Sequence, residues 1–128
     1  MLFKASDIKL MAHNGPIYSD PLEAVKQDPF ALQYVRNQTE KLCLEAVRRN
    51  GYALQYAHNQ TEEICLETVK RDPFALQYVQ NQTEEICLEA VKQDGYALKY
   101  AHNQTEEICL EAVRQNNDAR CYIDMSIF

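Results

Sequence analysis

No stretch of the 128-residue chain holds the roughly 18 consecutive apolar residues that a membrane-spanning helix needs. No membrane span is therefore expected. The opening Met1-Leu2-Phe3-Lys4-Ala5-Ser6-Asp7 meets an acidic residue too early for the apolar core of a secretory signal, so a cytoplasmic protein is expected. A basic balance is also missing. Thirteen Lys and Arg face 19 Asp and Glu, a net charge of −6. That argues against a general nucleic-acid binder, which needs a basic surface to release counterions. Disorder is disfavoured too, because 46% of the residues are apolar and only 25% are charged. The length suits one domain with a real core.

What the chain has is repetition. Asn-Gln-Thr-Glu begins at Asn37, Asn59, Asn81 and Asn103, a constant 22-residue step. A partial unit opens at Leu22, and the last one decays after Val113. A longer beat overlies the first. Asp28-Pro29-Phe30 and Asp72-Pro73-Phe74 alternate with Asn50-Gly51-Tyr52 and Asp94-Gly95-Tyr96, and Val35 and Val79 alternate with Ala57 and Ala101. A duplicated 44-residue pair would produce that pattern.

Each unit reads as two short helices. Thr61 can cap the first, its hydroxyl taking one of the unpaired amides of the first turn. Glu62 and Glu63 then sit where the helix dipole favours negative charge, and Lys70 and Arg71 where it favours positive charge. Ile64, Cys65, Thr68 and Val69 fall on one face, extended by Leu66, with Glu63, Glu67, Lys70 and Arg71 opposite. Asp72-Pro73 opens the second helix, with Pro at the first helical position, where its missing N–H costs nothing. Ala75, Leu76 and Val79 line one side of that helix, Phe74 and Tyr78 another. Asn81 is expected to end it in the left-handed conformation, and Gly15, three repeat steps earlier, supports that reading. Leucine-rich repeats share the period but need a strand with period-two alternation; here the apolar spacing is helical in both halves.

The expected fold is therefore all-α, an α-solenoid of stacked two-helix 22-residue repeats with capped ends. One domain covers 1–128: an N-terminal cap at 1–19, repeats at 20–113 and a C-terminal cap at 114–128. Ser6-Asp7 can start a helix of Ile8, Leu10, Met11 and Ala12 that closes at Gly15, and Asp20-Pro21 restarts the chain. At the far end Asp118 and Arg120 stand where Tyr96 and Leu98 stood one repeat earlier, as an array's polar end requires.

The segment NQTEEICLEAVKQDGYALKYAHNQTEEICLEAV resembles a tandem helical repeat family of unknown function, found in giant DNA viruses of amoebae and some bacteria. The likeness covers about Leu22 to Val113. It implies a helical repeat with no established activity and no catalytic residues to carry over. A viral or bacterial source is then expected, with the protein in the host cytoplasm or the virion.

Several columns invite a chemical role. Cys43, Cys65, Cys87 and Cys109 form a ladder at the repeat spacing, with Cys121 outside it. Zinc needs four ligands about 2.3 Å from one metal, whereas stacked helices lie roughly 8–10 Å apart. That spacing also exceeds the disulfide limit of about 7 Å. Buried core thiols are expected, with no metal and no cofactor. His58 and His102 occupy a position that accepts Arg36 and Gln80 elsewhere, which describes a solvent-facing helix end. The Asn-Gln-Thr triplets match a glycosylation pattern but read better as helix junctions. Glu62/Glu63, Glu84/Glu85 and Glu106/Glu107 make an acidic column, and Arg48/Arg49, Lys70/Arg71, Lys92 and Arg114 a basic one, both accounted for by dipole matching. The tyrosines Tyr34, Tyr56, Tyr78, Tyr100 and Tyr122 should pack between repeats. An exposed edge of that column, at Tyr34, Tyr56, Tyr78 and Tyr100, is the candidate interaction surface, since Tyr is enriched where proteins bind.

An enzyme is not expected, because catalysis needs different groups converging at one place and this chain repeats one environment. The leading expectation is a non-enzymatic scaffold, acting as a monomer, that binds an unidentified protein or peptide. A self-associating spacer is the alternative, and a thiol or metal role for the Cys ladder a remote one.

Overall fold

A computed structural model describes residues 20–127. Among them every regular element is helical, and no strand occurs. Five α-helices alternate with short 3-10 helices: α1 Pro21–Gln27, α2 Glu40–Arg49, α3 Glu62–Arg71, α4 Glu84–Gln93 and α5 Glu106–Gln115. The intervening 3-10 helices are Pro29–Tyr34, Gly51–Tyr56, Pro73–Tyr78, Gly95–Tyr100 and Asn117–Tyr122, followed by a last turn at Met125–Ile127. The all-α repeat fold is thus present, with one refinement. The second helix of each unit is 3-10 rather than α, longer than that geometry usually sustains.

Capping sets the boundaries. Thr39, Thr61, Thr83 and Thr105 each accept, through the hydroxyl, the N–H of the third helical residue, at 3.1–3.2 Å. Asp20 caps α1 in the same sense by accepting from Leu22. The 3-10 helices use Asp28, Asn50, Asp94 and Asn116, whose Oδ1 accepts the N–H two positions on at 2.9–3.0 Å. Asp72 holds the equivalent position without that bond.

The left-handed Asn at the repeat junction does not form. No described residue has positive φ. Val79, which ends Pro73–Tyr78, has φ −76° and ψ 117°. The chain leaves the 3-10 helix extended and bends at Gln80 and Asn81 on its way to the next Thr cap, without a left-handed residue. Gly15 and the N-terminal helix of Ile8 to Ala12 lie outside the described residues.

The chain divides into two compact units, Met1–Asn59 and Gln60–Phe128. In the first, α1 packs on α2, the 3-10 helix Pro29–Tyr34 packs on α2, and the two 3-10 helices touch. In the second, α3, α4 and α5 stack in order, while Pro73–Tyr78 packs on α4 and Gly95–Tyr100 on α5. The core repeats with the sequence. Ile64, Cys65, Thr68 and Val69 are buried in α3, as are Ile86, Cys87, Ala90 and Val91 in α4. Leu76 and Leu98 complete it from the 3-10 layer. Thr68, the one buried polar residue among those described, donates its hydroxyl to the Ile64 carbonyl at 2.6 Å. Leu66 is half-buried, and so is Glu67 on the nominally polar side.

Glycine at 95 answers a close approach. A Cβ there would collide with the carbonyl oxygen of Ala112 and crowd Asn116, at the end of α5. Backbone therefore nearly touches backbone where the 3-10 helix meets the next α-helix.

Candidate functional site

Sequence reasoning passed over the most connected side chain of the repeat, the Gln of Asn-Gln-Thr-Glu. Gln38 donates through Nε2 to the carbonyls of Leu32 and Val35 at the end of the preceding 3-10 helix, at 3.1 and 3.3 Å, and to that of Tyr56 at the end of the following one, at 2.8 Å. Its Oε1 accepts from the backbone N–H of His58 at 2.8 Å. Gln82 does the same with Leu76, Tyr100 and His102 at 2.9–3.0 Å, and Gln104 with Leu98, Tyr122 and Asp124 at 2.8–3.2 Å. Gln60 donates to Tyr78 and accepts from Gln80, both at 2.9 Å. A carboxamide has two donors and one strong acceptor, and this junction uses both ends of it. It ties the exit of one 3-10 helix to the exit of the next.

The cysteine ladder sits against the same carboxamides. Cys43, Cys65, Cys87 and Cys109 are buried and free, and their thiols donate to Oε1 of Gln38, Gln60, Gln82 and Gln104 at 3.4–3.9 Å. Burial, helped by Glu40, Glu62 and Glu84 respectively, pushes the thiols of Cys43, Cys65 and Cys87 up to about 11. Cys109 is raised as well, by burial and then by Asp124. Such thiols are poor nucleophiles at neutral pH, because the thiolate is the reactive form. Cys121 is exposed. Among the described residues no three His, Cys, Asp or Glu side chains converge to hold a metal ion.

His58 and His102 are exposed to solvent. What the fold uses at that position is the backbone N–H, bound by the Gln 20 residues earlier. The junction asks nothing of the side chain, which is why the column reads His58, Gln80, His102 and Asp124. The charged columns are exposed, with local partners. Thr83 and Thr105 donate to Glu62 and Glu84 of the preceding helix at 3.4 and 3.0 Å. Arg49 pairs with Glu45 and Arg114 with Glu111, each at 2.9 Å on its own helix.

The tyrosines are half-buried throughout: Tyr34 and Tyr56 in the first unit, Tyr78, Tyr100 and Tyr122 in the second. Tyr56, Tyr100 and Tyr122 pack between repeats, edge to face. Phe30 meets Tyr56 at 6.0 Å between ring centroids, Phe74 meets Tyr100 at 6.1 Å and Tyr96 meets Tyr122 at 6.0 Å, with interplanar angles of 69–79°. In the second unit they border an open groove of about 310 Å³, lined by Phe74, Tyr96, Lys99, Tyr100 and Tyr122. Of the four tyrosines named from sequence as the candidate surface, Tyr100 lines it. Tyr96 and Lys99 also do, and neither stood out in the sequence.

A second groove, of about 270 Å³, lies at the end of the second unit between Glu106, Cys109, Leu110, Val113, Arg120 and Ile123. Leu110 is 58% exposed there, whereas its equivalents Leu66 and Leu88 are half-buried.

Neither a curated protein nor a solved structure matches the chain. One family model does, four times, at residues 22–60, 39–83, 61–105 and 83–127. The last three begin one repeat apart, and each is long enough to take in two repeats. The final match runs well past Val113, where the sequence likeness between repeats fades. With matches spanning residues 22–127, the chain belongs to the family described as a domain of unknown function, DUF4116, a family of tandem helical repeats.

Proposed function

We propose that the chain is a non-enzymatic interaction module that holds a protein or peptide on the tyrosine-bearing side of its repeats. The observation that carries this reading is the half-buried ring column. Tyr56, Tyr100 and Tyr122 are each braced by an aromatic neighbour, and all five tyrosines of the column are half-exposed. Rigid, amphipathic rings of this kind bind at low entropic cost. Chemistry on a substrate is disfavoured because each repeat presents nearly the same groups. A monomer in the cytoplasm goes with this reading, and a virus or bacterium as its source. The test is affinity capture from lysate of the source cells, with the native chain as bait. The control bait has Tyr56, Tyr78 and Tyr100 changed to Phe and the basic column changed to Ser. A protein captured by the first bait and lost with the second supports the module. Equal capture by both, or none by a folded bait, removes it.

The apolar groove around Leu110 favours a second reading, self-association through the end of the second unit, with Met125 also exposed nearby in sequence. Light scattering decides it. A mass that stays monomeric across a hundredfold concentration range ends that reading.

A further inference from the structure

The groove between Phe74, Tyr96, Tyr100 and Tyr122 carries one lining residue that the preceding repeats do not. Where the three preceding repeats place Gln33, Gln55 and Gln77, this one places Lys99. Each of those glutamines folds back, its Nε2 donating to the carbonyl three positions earlier, in Phe30, Tyr52 and Phe74, at 3.0–3.1 Å. Lys99 instead lays its ammonium over the rings, 5.6 Å from the centroid of Tyr100 and 6.0 Å from that of Tyr122. At those distances the negative face of a ring attracts a cation. The groove therefore already holds a positive charge, supplied by its own chain.

The surroundings favour the same sign. The Tyr96 hydroxyl donates to Asp118 at 3.3 Å, which brings a carboxylate to the rim. Residues 60–128 carry thirteen Asp and Glu against six Lys and Arg, a net charge of −7. A field of that sign concentrates cations at the surface. A volume of about 310 Å³ suits one long side chain rather than an extended cofactor.

We infer that this groove binds an Arg or Lys side chain of a basic partner segment, and that Lys99 is its intramolecular stand-in, displaced when the partner docks. The inference rests on the interaction reading above and gives the partner's chemistry. An anionic ligand drawn by the Lys99 ammonium is the opposite case, and the two predict opposite effects of one substitution.

The experiment uses the full 128-residue chain and follows its tyrosine ring resonances by NMR. The probe is a short Gly-Ser peptide with two central arginines, compared with versions carrying norleucine or glutamate there. Lys99→Gln is the informative variant, since glutamine already occupies this position in three repeats. The arginine peptide is expected to shift the rings of Tyr96, Tyr100 and Tyr122, and the norleucine peptide to leave them in place. Lys99→Gln should bind the arginine peptide at least threefold more tightly. Asp118→Asn, a surface change that leaves the fold alone, should bind it at least threefold more weakly. Weaker or unchanged binding by Lys99→Gln, a preference for the glutamate peptide, or no ring shifts overturns the proposal. If the lysate capture above still depends on the tyrosine column while the arginine peptide fails, the groove proposal alone falls. If the peptide binds as expected and the capture is empty, the groove stands and the wider column reading falls.

Discussion

Two neighbouring repeats of the second unit, Gln82 to Ala101 and Gln104 to Ile123, share a backbone but little of the sequence in their 3-10 helices. One reads GYALKY and the other NDARCY. Leu98 is fully buried, and its counterpart Arg120 is exposed; Tyr96 becomes Asp118 and Gly95 becomes Asn117. Yet both start on a side-chain cap, bury one alanine (Ala97, Ala119) and end under a Gln carboxamide. What the two 3-10 helices keep in common is the cap, the alanine, the closing tyrosine and the glutamine. The remaining residues answer to what lies against them.

The largest difference expected between the two repeats concerns the thiols. In the folded chain Cys87 holds its proton to about 11 against an ordinary value of 9.0, so between those two pH values the unfolded chain releases a proton that the folded chain keeps. Stability is therefore complete below pH 9 and falls as the pH rises toward 11, by about 3 kcal/mol for each such thiol. Cys43 and Cys65 act in the same direction. Urea unfolding of the native chain between pH 8.5 and 11 should show this slope. Cys87→Ala should flatten it more than Cys109→Ala does. At pH 8 a thiol reagent should label Cys121 at once and the ladder only on unfolding.

Next comes the carboxamide. Gln82→Ala removes four hydrogen bonds, one of them from the Cys87 thiol, and leaves the Tyr100 carbonyl and the His102 amide without that partner, a loss of about 3 kcal/mol in chemical denaturation. Gln104→Ala should cost as much, because its partners Tyr122 and Asp124 are exposed to the same degree as Tyr100 and His102. A smaller loss there would mean that the end of the unit is less tightly held than its middle. Gly95→Ala should cost about 2 kcal/mol by driving a Cβ into the Ala112 carbonyl. Asn117→Ala, at the same place one repeat later, should stay within about 0.5 kcal/mol. The most uniform effect is the cap: Thr83→Ala and Thr105→Ala should each lower stability by about 1 kcal/mol, read from thermal midpoints.

These contrasts separate what the sequence discloses from what it conceals. The Thr caps, the buried face of Ile64, Cys65, Thr68 and Val69, and the Asp-Pro restart were all legible, because each is a local pattern whose partner lies within about one helical turn. The 3-10 geometry of Pro73–Tyr78 was not. Over so short a segment a period of about 3.0 cannot be told from one of about 3.6, and Pro opens either helix equally well. The role of Gln was hidden for another reason. Its partners at the far end of the repeat lie 18 and 20 residues along the chain, and only folding brings them close. Its recurrence at 38, 60, 82 and 104 was the available signal, absorbed into a junction credited to Asn and Thr. The same junction explains the failed left-handed Asn: the carboxamide supplies the hydrogen bonds that a reversing turn would otherwise make. In the candidate site, the tyrosines were legible as a column. Tyr96 and Lys99 were not, because an aromatic groove depends on which rings face each other across two repeats.

The grip of each Gln on the backbone amide of His58, Gln80, His102 and Asp124 carries a consequence for change over generations. The scaffold reads that position through an atom every residue but proline possesses, so mutation there leaves folding untouched. Each repeat thereby offers one blank character on an otherwise fixed template. A lineage could rewrite those characters one at a time, altering what the surface says while the frame that displays it stays the same.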